Sequence, residues 1–596
     1  MSGDDLRRAQ AERVGRFARW SIPAVVVLLA LTVVRVGQLK IEPSPELRTF
    51  LVPPTTTRTE IARRGDVVDS RGRVAATSTI GYRLFLDPVA IDNLLETIRD
   101  ITGRIGGHPQ ELLQLVARHP GSRYVVVNNL LEPWQVDAIA QARLPGVGLE
   151  PRLVREYPNR EVGIQTLGFV GAEHTGLAGA EFRFDEDLKP RDGKFTYLRD
   201  ARNRALWIEP AGYVPKQDGS QVRMSLDLVV QEAVEIRLEQ AVQEFNARGA
   251  RALVVDIETG DILAMADILR TEPRKGFLEV IPADDRDKHP SLGRNRCATD
   301  PYEPGSTFKP FVWSMATEFK RARPDEVLPL PSSGPYTTSR GRTIRDVKPM
   351  GPVTWRTVLI KSLNSGMAYV GERMTPAELQ EAVKRFGFGR ATGSGVPGES
   401  WGLVTTPKNW THYTQTSVPM GQEISVTPLQ MIRAFSAFCR DGTLVDLRMS
   451  LPDDVEQESM TLPQRAVSAP IARMTREAMR MVMTDGTGRK AQSSRYQMFG
   501  KSGTAQLPIP KALEKKVGHK GFFQDRYTAS FIAGAPFKDP RIAVLVVIDD
   551  PDRSKQHFGG LTAGPAARDI IDQTLSYLGV EPDIEEGAAA VDEGGN

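Results

Sequence analysis

The chain contains very few cysteines and histidines. Of its 596 residues, 2 are cysteine and 7 are histidine. Two cysteines cannot build a disulfide scaffold or a four-cysteine zinc site. No two histidines stand three or four residues apart, which is the spacing that metal-binding helices use. A disulfide-rich fold and metal-first chemistry are therefore excluded as primary interpretations.

The sequence also lacks a charge excess. Lys plus Arg number 77 and Asp plus Glu 74, so the net charge is +3. Nucleic-acid binders usually have a clear basic excess, so no nucleic-acid partner is expected. With 40% hydrophobic and 25% charged residues, the chain is neither disordered overall, nor collagen-like, nor a polytopic membrane protein. At about 150 residues per domain, its length fits two or three domains.

One apolar segment stands out near the N-terminus. Residues 20–34 read WSIPAVVVLLALTVV, and continuing to residue 39 gives about 20 residues, enough to span a bilayer. Five arginines precede it and fewer cations follow, so the positive-inside rule places residues 1–19 in the cytoplasm. We predict a single-pass anchor at 20–39 with an exported body. A buried core helix fits the position and flanks less well, and a cleaved signal peptide lacks a good cleavage site.

Two segments are expected after the anchor. Residues 40–220 hold short β-like runs and helical patterns without catalytic spacing, which indicates a structural or protein-binding module. Residues 221–578 contain an amphipathic helix, a predicted hairpin at 251–257 and 262–266, two apolar strands and a last helix. A sheet flanked by its first and last helices is an α+β arrangement. The acidic tail, 579–596, is expected to be disordered. Cys297 and Cys439 are expected to be buried free thiols.

The first chemical motif is EPGSTFKP, with Ser306 and Lys309 three residues apart. Pro304-Gly305 signals a turn, and 307–319 is predicted to be helical, so Lys309 falls one turn after Ser306. This spacing supplies a nucleophile, an amine to take its proton and a helix dipole suited to an oxyanion. Ser-x-x-Lys alone is a weak signal, although this is its only occurrence in the chain.

Two further motifs follow in order. Ser362-Leu363-Asn364 offers a hydroxyl for proton relay and a carboxamide for a substrate amide. The third motif is a run whose lysine, hydroxyls and glycine suit a carboxylate and a close substrate backbone: Lys501, Ser502, Gly503 and Thr504. A phosphate-binding loop ending in Gly-Lys-Ser is excluded, because Arg495 stands where that motif needs glycine.

Together the three motifs resemble the active-site set of the penicillin-recognising serine enzymes. The blocks DPYEPGSTFK, SVTPLQMIRAFSAF, ARRGDVVDSRGRVAATS and ASFIAGAP narrow this to a resemblance to class B penicillin-binding proteins. The resemblance implies a transpeptidase domain with an antiparallel sheet flanked by helices, on an elongated mixed α/β pedestal behind one transmembrane helix. Two departures are Ser502, where the family more often has Thr, and SVPMGQEISVTP, which lacks the usual Gly spacing.

The resemblance implies a peptidoglycan DD-transpeptidase without a metal or cofactor. Ser306 attacks the penultimate D-Ala of a peptide stem, with Lys309 as base and Ser362 as relay. The backbone N–H groups of Ser306 and Thr504 hold the oxyanion, Asn364 the stem amide, and the third motif the terminal carboxylate. β-Lactams are expected to acylate Ser306.

The implied setting is the bacterial inner membrane, with the catalytic domain on the periplasmic or extracytoplasmic side. Expected partners are a membrane glycan polymerase and division or elongation proteins, and two of the sequence blocks favour a division role. Alternatives are an elongation-type enzyme, a serine β-lactamase, a DD-carboxypeptidase, a β-lactam sensor, and a mainly non-catalytic scaffold for the polymerase. A bifunctional glycosyltransferase is disfavoured, because 40–220 is short and has no paired-carboxylate motif. The basic loop at 511–520 is expected to be a solvated loop.

Overall fold

The computed structural model describes residues 3–42, 55–160, 162–171, 173–200, 205–208, 212–270, 294–452 and 463–584. By contacts, the chain divides into two compact units. One comprises Met1–Ala62 and Arg191–Gln217, and the other comprises Arg63–Pro190 and Asp218–Asn596. These units are defined by contacts, so the sequence-predicted division at 220 stays a prediction.

The first unit carries the N-terminal helix. This helix runs over Gly3–Ile41, and its portion Gln10–Ile41 is long and apolar enough to cross a membrane, with none of its apolar window buried. The predicted anchor at 20–39 lies within it. The same unit has a three-stranded antiparallel sheet, in the order Thr55–Glu60, Gly193–Arg199 and Ala205–Ile208.

The N-terminal part of the second unit is a mixed α/β assembly. Its sheet is built on the long strand Val74–Leu86. The other strands are Val67–Val68, Val125–Leu131, Val147–Glu156 and Val222–Arg223. Its helices are Leu94–Ile105, Pro109–Ala117, Pro133–Ala142, Ile164–Leu167, Gly179–Arg183 and Asp185–Leu188. Buried Leu84, Ile98 and Ile139 belong to one core cluster, so helices and sheet share a core.

The rest of the second unit is organised around a five-stranded antiparallel sheet. Its strands are β1 (Gly249–Asp256), β2 (Ile262–Leu269), β3 (Phe499–Pro508), β4 (Phe522–Ala535) and β5 (Ile542–Asp549), in the order β2-β1-β5-β4-β3. The principal helices are α1 (Leu228–Glu244), α2 (Lys309–Glu318), α3 (Asn364–Gly371), α4 (Pro428–Cys439), α5 (Ala469–Asp485) and α6 (Ala563–Tyr577). The predicted α+β class and hairpin are confirmed.

Shorter elements complete this part. They comprise the helices Arg296–Thr299, Trp355–Ile360, Pro376–Arg385, Thr414–Ser417 and Glu514–Val517. Three two-stranded pairs join Val327–Leu328 to Val353–Thr354, Tyr336–Thr337 to Thr343–Ile344, and Leu403–Val404 to Ile424–Ser425.

Both faces of the central sheet are buried, which explains the continuous apolar runs of its strands. In β5, Val544 and Val546 point into the core formed with α1 and α6. The alternate residues Leu545 and Val547 point into the core that contains α2, α4 and α5. Alternation along a strand therefore divides one apolar run between two helical layers. The sheet is fixed from both sides, and so is the edge strand β3, which carries the third motif.

The first residues of the predicted disordered tail form hydrogen bonds with residues 495 and 497. The backbone N–H of Ile584 donates to Arg495 O at 3.1 Å, and that of Gln497 donates to Asp583 Oδ1 at 2.6 Å. The disorder of the tail 579–596 stays a prediction. Residues 585–596 lie outside the described residues. Cys297 and Cys439 are buried free thiols, as predicted.

A buried network of ion pairs ties the sheet to the segment before Ser306. Arg296 Nη2 lies 2.6 Å from Asp267 Oδ1, and Arg296 Nη1 lies 2.9 Å from Asp549 Oδ2. Arg251 Nη2 pairs with the other oxygen of Asp549 at 2.6 Å. The network links β1, β2 and β5 to the short helix Arg296–Thr299.

We predict that Asp267→Ala lowers the free energy of unfolding by about 3–5 kcal/mol, because it leaves Arg296 buried without its main partner. The matched control is Asp441→Ala, which removes a pair with Arg473 at 2.9 Å whose side chains are 59% and 52% exposed. The control should cost about 0–1 kcal/mol. Urea unfolding of the detergent-solubilised full chain, followed by tryptophan fluorescence, measures both. Equal losses would contradict the account of this network.

Candidate active site

The predicted nucleophile lies in a tight turn before α2. Residues Gly305–Phe308 form a 3₁₀ turn, and the α-helix begins only at Lys309. The stretch predicted to be helical at 307–319 is thus 3₁₀ up to Phe308 and α from Lys309 to Glu318, and Ser306 lies inside the 3₁₀ turn. Position 305 favours glycine because its φ is +55°. The N–H of Gly305 donates to Gly421 O at 3.0 Å, which ties the turn to residue 421. Position 421 also requires glycine, because a Cβ there would lie 2.1 Å from Gly305 O and would push the turn away.

Lys309 is completely buried beneath this turn. Its Nζ donates to Ser362 O at 2.7 Å and to Asn364 Oδ1 at 2.7 Å, and lies 3.3 Å from Ser362 Oγ. Burial lowers the pKa of Lys309 to about 7, although the negative charge of Asp346 acts in the opposite direction. An amine with this pKa is about half unprotonated at pH 7, so a large neutral fraction is available to act as a general base.

Ser362 has a strained backbone. It lies between the helix Trp355–Ile360 and α3, and its φ is +60°. A non-glycine residue in this left-handed region costs about 1–3 kcal/mol and persists only where its surroundings enforce it. The conformation turns both the carbonyl and the hydroxyl of Ser362 toward the amine of Lys309. The strain therefore serves to complete the surroundings of that amine.

Asn364 is held at both ends of its carboxamide. Its Oδ1 accepts from Lys309, whereas its Nδ2 donates to Arg345 O at 3.1 Å. A donor on one side and an acceptor on the other leave one consistent amide orientation. The side chain of Asp346 accepts from the backbone N–H of Asn364 and, at 3.1 Å, from that of Ser365.

The third motif lies on the edge strand β3. Lys501 is completely buried, and its Nζ donates to Ser502 O at 2.9 Å. Burial, together with the neighbouring charge of Lys309, lowers the pKa of Lys501 well below its usual range. Ser502 Oγ shares a hydrogen bond with Thr487 Oγ1 at 2.7 Å. Thr504 Oγ1 accepts from the backbone N–H of Gly559 at 3.0 Å.

Gly503 brings the strand against the nucleophile turn. A Cβ at this position would lie 2.8 Å from Pro304 O, 2.9 Å from Thr307 Cγ2 and 2.5 Å from Ser530 Oγ. Any side chain would therefore push the turn that carries Ser306 away from β3. Packing alone accounts for the glycine, and a substrate contact through its backbone stays a proposal.

All three predicted motifs thus come together. Lys309 binds the second motif directly, and its charge acts on Lys501 of the third. Sequence reasoning missed Asp346, Thr487 and Gly559, which contact motif residues from other segments. Of these three residues, only Gly559 stands in a recognisable sequence pattern, the glycine pair at 559–560. The structure explains its glycine, because a Cβ at Gly559 would lie 2.1 Å from Gly503 O. The basic loop at 511–520 forms a short 3₁₀ turn and helix with largely exposed side chains, as predicted.

Family models and solved structures match both parts of the chain. A family model described as "Penicillin binding protein transpeptidase domain" matches residues 250–572. A second, described as "Penicillin-binding Protein dimerisation domain", matches residues 59–224. Among solved structures, penicillin binding protein 3 of Mycobacterium tuberculosis, complexed with aztreonam, has a TM-score of 0.63 at 26% identity. That match covers 88% of this chain and 98% of the other.

Curated relatives match along most of their length. The probable peptidoglycan D,D-transpeptidase PbpC of Pseudomonas aeruginosa is 30% identical, over 89% of each chain. The peptidoglycan D,D-transpeptidase FtsI of Escherichia coli is 29% identical, over 87% of this chain and 84% of its own. The predicted family is confirmed: the chain belongs to the class B penicillin-binding proteins, which are peptidoglycan D,D-transpeptidases.

Proposed function

We propose that the chain cross-links peptidoglycan stems through an acyl-enzyme on Ser306. The observation that carries the proposal is the buried amine of Lys309, whose pKa is lowered to about 7 by burial and which follows Ser306 by one turn. A solvated lysine stays protonated at neutral pH and cannot accept a proton from a serine. Burial therefore allows Lys309 to act as a base at neutral pH, which a lysine on the surface cannot do.

In the first step, Ser306 Oγ attacks the penultimate D-Ala carbonyl and its proton passes to Lys309. The carbonyl becomes a tetrahedral oxyanion, held by the backbone N–H groups of Ser306 and Thr504. The C–N bond to the last D-Ala then breaks, and the leaving amine takes a proton through Ser362. The 3.3 Å separation of Ser362 Oγ from Lys309 Nζ supports this relay.

The hydrogen-bond inventory of Lys309 supports this assignment. Ser362 O and Asn364 Oδ1 are pure acceptors, so they take two N–H donors of the amine. In the neutral amine only the lone pair remains, and it is free for a hydroxyl proton. The two acceptors therefore orient the base rather than merely bury it.

Substrate recognition falls to the second and third motifs. Ser502 and Thr504 bind the terminal carboxylate of the stem, and the buried amine of Lys501 supports them from behind through its bond to Ser502 O. Asn364 holds the stem amide through the second lone pair of Oδ1 and the second N–H of Nδ2, since Arg345 O takes only one of the two Nδ2 hydrogens. β-Lactams enter the same site and acylate Ser306.

In the second step, the amine of a neighbouring stem attacks the acyl-enzyme ester and releases Ser306. A cross-link forms and the serine regains its proton. Release to water instead yields trimmed monomers, and rapid hydrolysis of penicillin is the mark of a β-lactamase. Product analysis with peptidoglycan substrate separates these outcomes, because only transpeptidation produces dimers.

We place this activity on the outer side of the cytoplasmic membrane. The candidate span Gln10–Ile41 and the arginines before it support an N-terminus in the cytoplasm. We propose a membrane glycan polymerase as partner and a septal role, supported by the SVTPLQ and ASFIAGAP blocks. A fluorescent fusion at midcell supports the septal role, whereas a sidewall pattern supports elongation.

Ser306→Ala is expected to abolish covalent labelling of the full chain by a fluorescent penicillin, because the proposed acyl ester forms on the Ser306 hydroxyl. The matched control is Ser554→Ala, at an exposed serine, which should label like the parent chain. Labelling is read on denaturing gels, and peptide mapping locates the adduct. Persistent labelling of Ser306→Ala would refute this nucleophile.

The pair Ser362→Ala and Ser362→Gly separates the hydroxyl from the backbone strain. Both lose the hydroxyl, so both should acylate about 10²- to 10⁴-fold more slowly. Glycine tolerates the φ of +60°, so Ser362→Gly should be more stable than Ser362→Ala by about 1 kcal/mol. Acylation rates and urea unfolding measure the two effects. Normal acylation by Ser362→Gly would show that the hydroxyl is dispensable.

A further inference from the structure

Asp346 lies outside all three motifs but contacts the second one closely. Its carboxylate accepts from the backbone N–H of Asn364, from the backbone N–H of Ser365 at 3.1 Å, and from the Ser365 hydroxyl. These donors are the first residues of α3. Asp346 is therefore a cap supplied from a separate loop, eighteen positions earlier in the chain.

The cap is needed because the local sequence supplies none. The residue before α3 is Leu363, whose side chain cannot accept a hydrogen bond. The first N–H groups of a helix need partners from elsewhere, and a carboxylate is well suited to that end of the dipole. The adjacent Ser362 is in the left-handed conformation, at φ +60°, which must be held by its surroundings.

The same loop also fixes the side chain of Asn364. Arg345 O accepts from Asn364 Nδ2 at 3.1 Å, which leaves Oδ1 facing Lys309. Residues 345 and 346 thus hold Asn364 by both its backbone and its carboxamide. Because Asn364 Oδ1 and Ser362 O are the two shortest contacts of the Lys309 amine, displacement of this turn would move both.

We propose that Asp346 is a positioning residue for acylation: it holds the Ser362–Asn364 turn in place, and through that turn it orients the amine of Lys309. This role rests on the proposed acyl-enzyme function. The charge of Asp346 has a second effect, on the protonation of the amine itself. A carboxylate nearby favours the protonated form, which opposes the effect of burial.

Among the described residues, the charged group that acts on the amine of Lys309 is Asp346, from its loop. Lys501 on β3 is buried nearby and feels the charge of Lys309, while Ser362 and Asn364 contribute neutral dipoles. Removal of the Asp346 charge lowers the pKa of Lys309 further, so the neutral amine persists to lower pH. The acidic limb of the pH–rate profile for acylation should therefore move to lower pH. A simple loss of activity would lower the rate without moving this limb.

Two variants of the full chain separate position from charge. Asp346→Ala removes the acceptor and should lower the acylation rate on the high-pH plateau by about 10- to 100-fold, as displaced catalytic groups do. Asp346→Asn keeps an amide oxygen for the two backbone donors. It should therefore restore the plateau to within a few-fold, while the acidic limb moves down by about one pH unit.

Acylation by a fluorescent penicillin is followed between pH 5.5 and 9, and rates are normalised to the sites that saturating penicillin titrates. The control is Asp325→Asn, which removes an 87% exposed carboxylate paired with Arg356 and should change neither plateau nor limb. A plateau of Asp346→Ala equal to that of the parent chain overturns the proposal. If Asp346→Ala folds poorly, a plateau of Asp346→Asn that does not recover to within a few-fold of the parent chain overturns it instead, and an unmoved limb in Asp346→Asn overturns the effect of the charge on Lys309. If the parent chain itself is not labelled on Ser306, the proposed function fails instead.

Discussion

Burial of the Lys309 amine is the constraint on which the rest of the site depends. A charged amine without water is costly, so the protein either pairs it or lets it lose its proton. Here the pairing is incomplete: two neutral acceptors contact the amine, and the pKa falls to about 7 because of burial. Lys501 lies buried nearby, and its own pKa falls for the same reason and through the charge of Lys309. Two buried amines cannot both remain charged at low cost, and this repulsion lowers the pKa of Lys501 further.

The fold supplies this burial in layers. The central sheet is covered on both faces, and α2, which begins with Lys309, packs in the larger of its two cores. Gly503 and Gly421 let the nucleophile turn approach the backbone of its neighbours, where any side chain would hold it away. The ion pairs of Arg296 with Asp267 and Asp549 anchor the segment that leads into the turn. The residues that stabilise this part of the fold are therefore also the ones that hold the nucleophile turn in place.

Much of this could be predicted from the sequence. Apolar runs predict the strands at 527–535 and 541–548, because a two-sided core demands apolar residues on both faces. The three motifs predict the site, since their order and spacing together are rare. Asp346, Thr487 and Asp583 could not be found in this way: each acts through one side chain on a distant backbone or hydroxyl, and no periodicity records that. The 3₁₀ turn at Ser306 escaped for a similar reason, because turn and helix share the same residue preferences.

The central claim concerns the protonation of one amine, so the most direct measurement is the pKa of Lys309 itself. Lysine labelled with ¹³C at Cε, in the full chain and in Lys309→Met, identifies its NMR signal by difference. The account predicts that this signal titrates with a midpoint near pH 7 and disappears in the variant. A Lys309 signal that titrates at its ordinary pKa of 10.5 would contradict the account.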